Sequence, residues 1–326
     1  MNIAIPDDYQ DCVRTLNCFA LLKSHDVRIF NDTVKAPDAL AARLIDAEAL
    51  VLTRERTVVT RELLERLPRL RLISQTGKVA ANIDVRACTD HGVVIMEGRG
   101  DPSPTAELTW ALILASRRYL LNEANRLRDG QWQGFLGQQL RGQRLGIWSY
   151  GRIGKMVAGF GKAFDMRVWV WGRQGSTDRA RADGIEVAPS REAFFADSDV
   201  ISLHVRLNDD TRGLVTGDDL ARMKPSALFV NTSRAELVRE GALEQALRHG
   251  VPGFAAVDVY EQEPVLGAAH PLLALPNALC TPHIGFVERD NYELYYGTAF
   301  ENLVRFAKGD TAGVLNPEAL AHRPNA

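Results

Sequence analysis

Leu145-Gly146-Ile147-Trp148-Ser149-Tyr150-Gly151-Arg152-Ile153-Gly154 runs from a short apolar stretch into glycines, and Lys155 to Phe164 continues with helical spacing. A strand, a tight turn and a helix are predicted in that order. A dinucleotide-binding turn has this plan: Gly151 lets the backbone approach a pyrophosphate and Gly154 lets helix and strand pack closely. The helix N-terminus then offers unpaired N–H groups and a positive dipole end to the phosphates. Ser149, Tyr150, Gly151, Arg152, Ile153 and Gly154 are therefore the candidate coenzyme-binding turn. The fingerprint is incomplete, because Ser149 stands where the first glycine is expected. A glycine turn alone is also compatible with an ordinary loop.

The flanking chain supports the coenzyme reading. Downstream, Arg167 to Trp171, Ile185 to Ala188, Val200 to His204, Leu228 to Asn231, Phe254 to Val259 and Leu279 to Cys280 are short apolar runs separated by helical segments. One of those segments is Ala242 to Leu247, with Gly250 as its stop signal. Strands at this spacing are what a doubly wound dinucleotide fold requires. Upstream, Asn2 to Ile5, Val27 to Phe30, Ala49 to Leu52, Leu70 to Ser74 and Val93 to Met96 alternate with helical segments in the same way, predicting a second parallel sheet. Gly77 and Lys78 follow the fourth run, at a strand's C-terminal end, where open α/β sheets bind ligands. Lys78 is a candidate for an anionic substrate, or simply a solvated loop lysine.

Gly98 to Pro104 is rich in Gly, Pro and Asp and reads as a linker or hinge. A helix is predicted after it, capped by Ser103 with Pro104 in its first turn. Leu108, Ala111, Leu112 and Ala115 form its expected apolar face. Trp110, Ile113 and Leu114 widen the stripe, as in a helix lying between domains or in a subunit interface. Asn291 to Ala307 is predicted as one helix near the end of the chain.

A chain of 326 residues exceeds one ordinary core and implies two domains. A net charge of −2 creates no field that would favour nucleic acid or an acidic membrane as partner. The N-terminus lacks the pattern of a signal peptide, and no run reaches the roughly 18 apolar residues of a membrane span. Cys12, Cys18, Cys88 and Cys280 show no paired CxxC spacing, so free buried thiols in a reducing cytoplasm are expected rather than disulfides or metal ligands.

In NAD-binding versions of this fold, an Asp or Glu about 20 residues after the glycines accepts hydrogen bonds from the adenosine ribose. Here Gly172 and Arg173 end that strand. Loss of the carboxylate removes repulsion toward a 2′-phosphate, and a guanidinium pairs with phosphate in a bidentate manner, so NADP is favoured over NAD. The alternative is a solvated Arg173 with NAD held by other contacts.

Three further segments fall at the C-terminal ends of predicted strands: Val230-Asn231-Thr232-Ser233-Arg234-Ala235-Glu236, Asp258-Val259-Tyr260-Glu261-Gln262-Glu263-Pro264 and Thr281-Pro282-His283-Ile284-Gly285. Together with the glycine turn, over nearly the whole chain, they make the sequence similar to the D-isomer-specific 2-hydroxyacid dehydrogenases. That group contains phosphoglycerate, glycerate and formate dehydrogenases. The resemblance implies an α/β protein of two doubly wound parallel-sheet domains, with a Rossmann coenzyme domain, residues 101–285, inserted in a flavodoxin-like substrate domain, residues 1–100 plus 286–326. The active site would lie in the cleft between them, with hinges near Gly98 to Pro104 and Ile284 to Gly285.

The resemblance also implies a catalytic set of Arg234, Glu263 and His283, acting in reversible hydride transfer between NAD(P)H and a 2-oxo acid to give the D-2-hydroxy acid. The chemistry suits the residue types. A planar guanidinium can hold the substrate carboxylate and polarise its carbonyl. Histidine can donate the proton as hydride arrives, and a carboxylate beside the imidazole orients it and favours its charged form. Each residue alone also has a structural explanation, as a surface ion pair, an exposed acid or a packed loop histidine.

By resemblance, Asp258 bonds the nicotinamide amide, with a capping role as the alternative. His204, by the same resemblance, borders the coenzyme pocket, with a simply packed histidine as the alternative, and Thr232 is a candidate for a further polar contact. Gly77, Lys78, Arg234 and His283 are the candidate substrate contacts, no metal is expected, and a cytoplasmic homodimer is. Two departures stand out: Val79 replaces a second glycine of the carboxylate-binding loop, and Arg206 replaces a proline two residues after His204. The chain also ends soon after its last helix, leaving no room for the regulatory domain of longer phosphoglycerate dehydrogenases. Two other readings remain: a coenzyme-sensing, corepressor-like binding protein of the same fold, and a dehydrogenase of formate or phosphite.

Overall fold

The computed structural model describes residues 1–322; residues 323–326, the end of the expected 286–326 segment, lie outside the described residues. The chain forms two compact units, one of Met1–Asp101 together with the chain from Glu288 onward, the other Pro102–Val287. Every strand pairing in both sheets is parallel.

In the first unit, β1 (Asn2–Ile5), β2 (Asp26–Ile29), β3 (Ala49–Leu52), β4 (Leu72–Gln75) and β5 (Val94–Glu97) lie in the order β2-β1-β3-β4-β5. This is the flavodoxin-like order. β3 and β4 are buried along their whole length, as strands covered on both faces must be, whereas edge strand β2 has no buried residue. One face packs on Leu40, Leu44, Leu63 and Leu67. The other is covered by the helix Arg289–Ala307, which buries Tyr296, Phe300 and Leu303 and accepts a hydrogen bond from Ser74 Oγ at the carbonyl of Ala299.

In the second unit, β6 (Arg144–Trp148), β7 (Arg167–Trp171), β8 (Glu186–Val187), β9 (Val200–Leu203), β10 (Leu228–Asn231), β11 (Phe254–Val257) and β12 (Ala278–Cys280) take the order β12-β11-β10-β9-β6-β7-β8. The chain starts in the middle at β6, builds outward to β8, then returns to β9 on the other side. That is the Rossmann arrangement with one extra edge strand, and its topological switch point lies between β6 and β9. Separate cores cover the two faces, one around Trp148, Phe194, Phe229 and Leu243, the other around Ile113, Ile147, Val157 and Val230.

The structure corrects several local expectations. The helix after the linker is Ser103–Arg117, so Ser103 is its first residue; Pro102 stands at the cap position and makes no side-chain cap bond. Its buried stripe is Ala106, Thr109, Trp110, Ile113 and Arg117, with Leu112 beside it, and it packs against β10, β11 and the helix Arg152–Ala163. Ala111, expected on the apolar face, is exposed. A helix that is apolar over most of its circumference gives no clear phase from sequence, and the neighbours choose the face. Among the cysteines, all free, only Cys88 is buried, while Cys12, Cys18 and Cys280 are half-buried. No helix of the described residues is long and apolar enough to cross a membrane.

Candidate active site

The glycine turn joins β6 to the helix Arg152–Ala163 with Gly151 as N-cap. Ser149 adopts φ +79°, the left-handed conformation that the missing first glycine would take without strain, so the turn keeps its shape despite the substitution. A Cβ on Gly154 would lie 2.3 Å from the Ser149 carbonyl oxygen, which explains that glycine by packing alone. A Cβ on Gly151 would meet nothing within 4 Å. No protein neighbour demands glycine there, which is the condition for a ligand's close approach, and the first-turn N–H groups of the helix lie next to it. These features fit a dinucleotide pyrophosphate. Tyr150 contributes differently: its N–H bonds Ser176 Oγ at 2.5 Å, its ring is buried and its hydroxyl donates to Asp183 at 3.0 Å. At the end of β7, Gly172 has φ +156° and Arg173 is exposed, meeting Asp210 at only 3.4 Å.

Arg234, Glu263 and His283 all lie in the second unit, in the loops that follow β10, β11 and β12. Glu263 Oε2 is 2.6 Å from His283 Nδ1, which fixes the ring orientation and leaves Nε2 without a hydrogen-bond partner among the described residues. Burial raises the pKa of Glu263, but the bond to His283, the imidazole charge, the Tyr260 N–H and the Arg234 charge outweigh it and hold the carboxyl below its ordinary value. Glu263 is thus ionised at neutral pH. Its stabilising contribution is present above the ordinary carboxylate range and is lost as pH falls through the depressed folded value. An ionised carboxylate, an oriented imidazole and a nearby guanidinium can together bind a carboxylate and transfer one proton.

His283 itself has φ +51°, an uncommon conformation for a non-glycine residue. Asp258 holds it there. Its buried carboxylate accepts from Thr281 Oγ1 at 2.7 Å, Ile284 N at 2.9 Å and Gly285 N at 2.8 Å, gripping the loop on both sides of the histidine. Burial raises the Asp258 pKa, and these bonds work against the rise. Tyr260 adds a second brace, donating its N–H to Glu263 Oε1 at 3.0 Å and its hydroxyl to the Thr281 carbonyl at 2.9 Å. The Phe286 ring stands edge-to-face with the imidazole at 5.6 Å.

The region 110–285 matches the family model described as D-isomer specific 2-hydroxyacid dehydrogenase, NAD binding domain. A glyoxylate reductase of Aeropyrum pernix is 38% identical, over 93% of each chain. The chain belongs to the D-isomer-specific 2-hydroxyacid dehydrogenase family. Among solved structures, a Ralstonia solanacearum oxidoreductase provisionally described as D-3-phosphoglycerate dehydrogenase is 53% identical, with a TM-score of 0.95 over 99% of this chain and 98% of that one. A phosphoglycerate oxidoreductase of Vibrio cholerae is 52% identical, with a TM-score of 0.93 over 95% and 99%. The protein is accordingly an NAD(P)-binding oxidoreductase of 2-hydroxy and 2-oxo acids.

The other candidate residues of this dehydrogenase have their own partners. Thr232 is buried and shares a 2.7 Å hydroxyl bond with Thr109, while Thr105 Oγ1 donates to the Gly285 carbonyl at 3.0 Å. The helix Ser103–Arg117 thereby ties two of the site loops. His204, at the end of β9, pairs Nε2 with Ser202 Oγ at 3.0 Å, and burial pushes its pKa down to about 3, so it is neutral. In the first unit, Gly77 has φ +102° and a Cβ there would lie 2.4 Å from the Arg54 guanidinium. Lys78 is exposed and paired with Glu97 at 2.6 Å. Among the described residues, no group of three or more His, Cys, Asp or Glu could hold a metal ion.

Sequence reading missed Tyr260, Thr105, Thr109, Arg54 and Phe286. Tyr260 carried a faint signal, two positions after Asp258 beyond the end of β11. The others are unremarkable in sequence and gain meaning only from their neighbours. Asp258→Ala should free the amides of Ile284 and Gly285 and lower the unfolding free energy by about 1–3 kcal/mol, as for other lost buried partners. Hydrogen exchange read at those two amides checks this, and unchanged protection there would refute the clamp.

Proposed function

We propose that this dehydrogenase reduces a small 2-oxo acid to the D-2-hydroxy acid, with His283 as acid and base, Glu263 as its orienting carboxylate and Arg234 as the substrate-binding cation. The observation that carries this reading is the 2.6 Å Glu263–His283 pair in loops that also present Arg234. NAD(P)H, when bound, supplies the hydride. Arg234 holds the carboxylate and draws electron density toward the carbonyl oxygen. His283 delivers a proton from Nε2 to that oxygen, and Glu263 stabilises the imidazolium from the Nδ1 side. Gly77 and Lys78, with Arg54 beside them, contact the anionic substrate.

The coenzyme is held by Ser149 to Gly154, with Arg173, His204, Thr232 and Asp258 around it. A 2-oxo acid as small as glyoxylate is favoured by the likeness to a glyoxylate reductase along nearly the whole chain. Initial rates with glyoxylate, hydroxypyruvate, pyruvate and a longer 2-oxo acid test the reading. His283→Ala should lower kcat by two or more orders of magnitude with coenzyme affinity kept, and comparable turnover in the variant would remove His283 from the chemistry.

NADP is the proposed coenzyme. Arg173 is exposed, and its long ion pair with Asp210 is of a class worth only about 0–1 kcal/mol, so a phosphate can displace it at small cost. Gly172 brings no carboxylate of its own to that position, and Asp210 is the acid that the phosphate would replace on Arg173. Arg173→Ala should raise the Kd of NADPH at least tenfold and that of NADH less than threefold; equal changes would overturn the assignment.

A homodimer is proposed through the segment from Leu120 to Leu136. The helix Leu120–Arg128 has no buried residue, and Leu120, Leu121, Leu127, Trp132, Phe135 and Leu136 are all exposed. The segment is nonetheless ordered: the Glu123 carboxylate accepts from Gly134 N and Phe135 N, and Phe135 stacks on Tyr119 at 4.7 Å. An ordered apolar surface of this kind is characteristic of an interface. Leu127→Glu with Leu136→Glu should convert a dimer to a monomer in light scattering, and a wild-type monomer at micromolar concentration would exclude it. The four free cysteines suit a reducing cytoplasm, which is the proposed compartment.

A further inference from the structure

A cavity of about 540 Å³ opens on the second unit, within the usual range for small-molecule sites of roughly 300–1,000 Å³. Its walls are mainly apolar, formed by Val238, Leu243, Val259, Val265 and Leu272 with Leu266 at the solvent side. It contains neither Arg234, Glu263 nor His283, but it is lined by Ala235, which follows Arg234, and by Gln262 and Pro264, which flank Glu263. The cavity thus backs onto the two segments that carry those residues.

The charges on its lining narrow the class of ligand. Glu244 is matched by Arg248 at 2.9 Å, and Glu261 by His270 at 3.0 Å. Arg239 and Glu240 also line the cavity, and neither side chain has a hydrogen-bond or ionic partner among the described residues. They are consecutive, with Cα atoms about 3.8 Å apart, and of opposite sign. A ligand with one positive and one negative group on the same carbon and an apolar side chain satisfies both charges and the walls together. A simple carboxylate or amine leaves one of the two unmatched.

A connection to the catalytic pair is also present. His270 packs edge-to-face on Tyr260 at 4.9 Å, and Tyr260 bonds both Glu263 and the Thr281 carbonyl. The same carbonyl accepts the N–H of His283 at 3.0 Å. Displacing the His270 loop therefore moves the brace of Glu263 and His283.

We propose that this cavity binds a small zwitterion of the α-amino-acid class with an apolar side chain, and that its occupancy alters catalysis through Tyr260. The second half rests on the roles given above to Glu263 and His283; the binding itself does not. Because 2-oxo acids and α-amino acids differ by exchange of oxo for amino, such a site would respond to the aminated counterparts of the substrate class.

Calorimetric titration of the full chain, without coenzyme, uses L-leucine and L-phenylalanine as probes and 4-methylpentanoate and 3-methylbutylamine as single-charge controls. At least one amino acid should bind saturably, and both controls should bind at least tenfold more weakly. Arg239→Gln and Glu240→Gln, both exposed, should each weaken the amino acid at least tenfold with basal activity unchanged. Absence of saturable binding, indifference to both substitutions, or equally tight controls would overturn the site. At saturation, kcat or KM for the 2-oxo acid should shift at least twofold in the wild type and stay constant in Arg239→Gln. A bound amino acid that leaves both constants unchanged would overturn the coupling, and the titration stands whether or not the enzyme turns over.

Discussion

A buried carboxylate must find hydrogen-bond donors or become neutral, and Asp258 finds three on one short loop. That requirement shapes the rest of the site. The loop closes around the carboxylate, His283 is forced into a left-handed backbone conformation between the gripped residues, and its imidazole meets Glu263. The Glu263–His283 pair is therefore positioned by a residue whose own oxygens are occupied by two backbone amides and the Thr281 hydroxyl. The raised pKa of Asp258 is the electrostatic counterpart of this burial, and the three donors keep the group useful as an acceptor.

The parallel sheet supplies the platform on which this clamp can work. β10, β11 and β12 run side by side and end together, so three loops distant in sequence emerge at one edge. The helix Ser103–Arg117 adds lateral restraint through Thr105 and Thr109, hydroxyls in an otherwise apolar helix. At the same C-terminal edge of the sheet, beyond β6 and β7, Ser149 and Gly172 sit in backbone conformations that favour glycine. One position keeps its conformation without glycine, at some cost in strain. The other leaves no side chain where an acidic one is usual in NAD-binding relatives of the fold.

Much of the fold was legible in the sequence because parallel strands covered on both faces must be continuous apolar runs. All twelve strands coincide with runs recognisable in the chain, to within one or two residues at their ends. The errors came where periodicity carries no phase. In the helix Ser103–Arg117, apolar on most sides, Ala111 points to solvent and Arg117 inward, its guanidinium bonded to Ser226 O at 2.7 Å and Gln138 at 2.9 Å. An inward arginine is chosen by carbonyls from other segments, which no local pattern reveals. The apolar residues from Leu120 to Leu136 are likewise ordinary in sequence and become conspicuous only when none of that helix is buried.

By itself the sequence determined the two α/β sheets, the glycine turn between strand and helix and the loops that carry Arg234, Glu263 and His283, since these depend on local periodicity, glycine geometry and residue type. Tertiary structure decided what each group does within them. Glu263 and His283 are twenty residues apart and 2.6 Å in contact. Asp258 faces the loop that holds the histidine, Tyr150 turns into the core, and Lys78 is paired with Glu97 at the surface. Hydrogen bonds and ion pairs are made across space by whichever groups the packed strands bring together, and a linear chain carries no record of those distances.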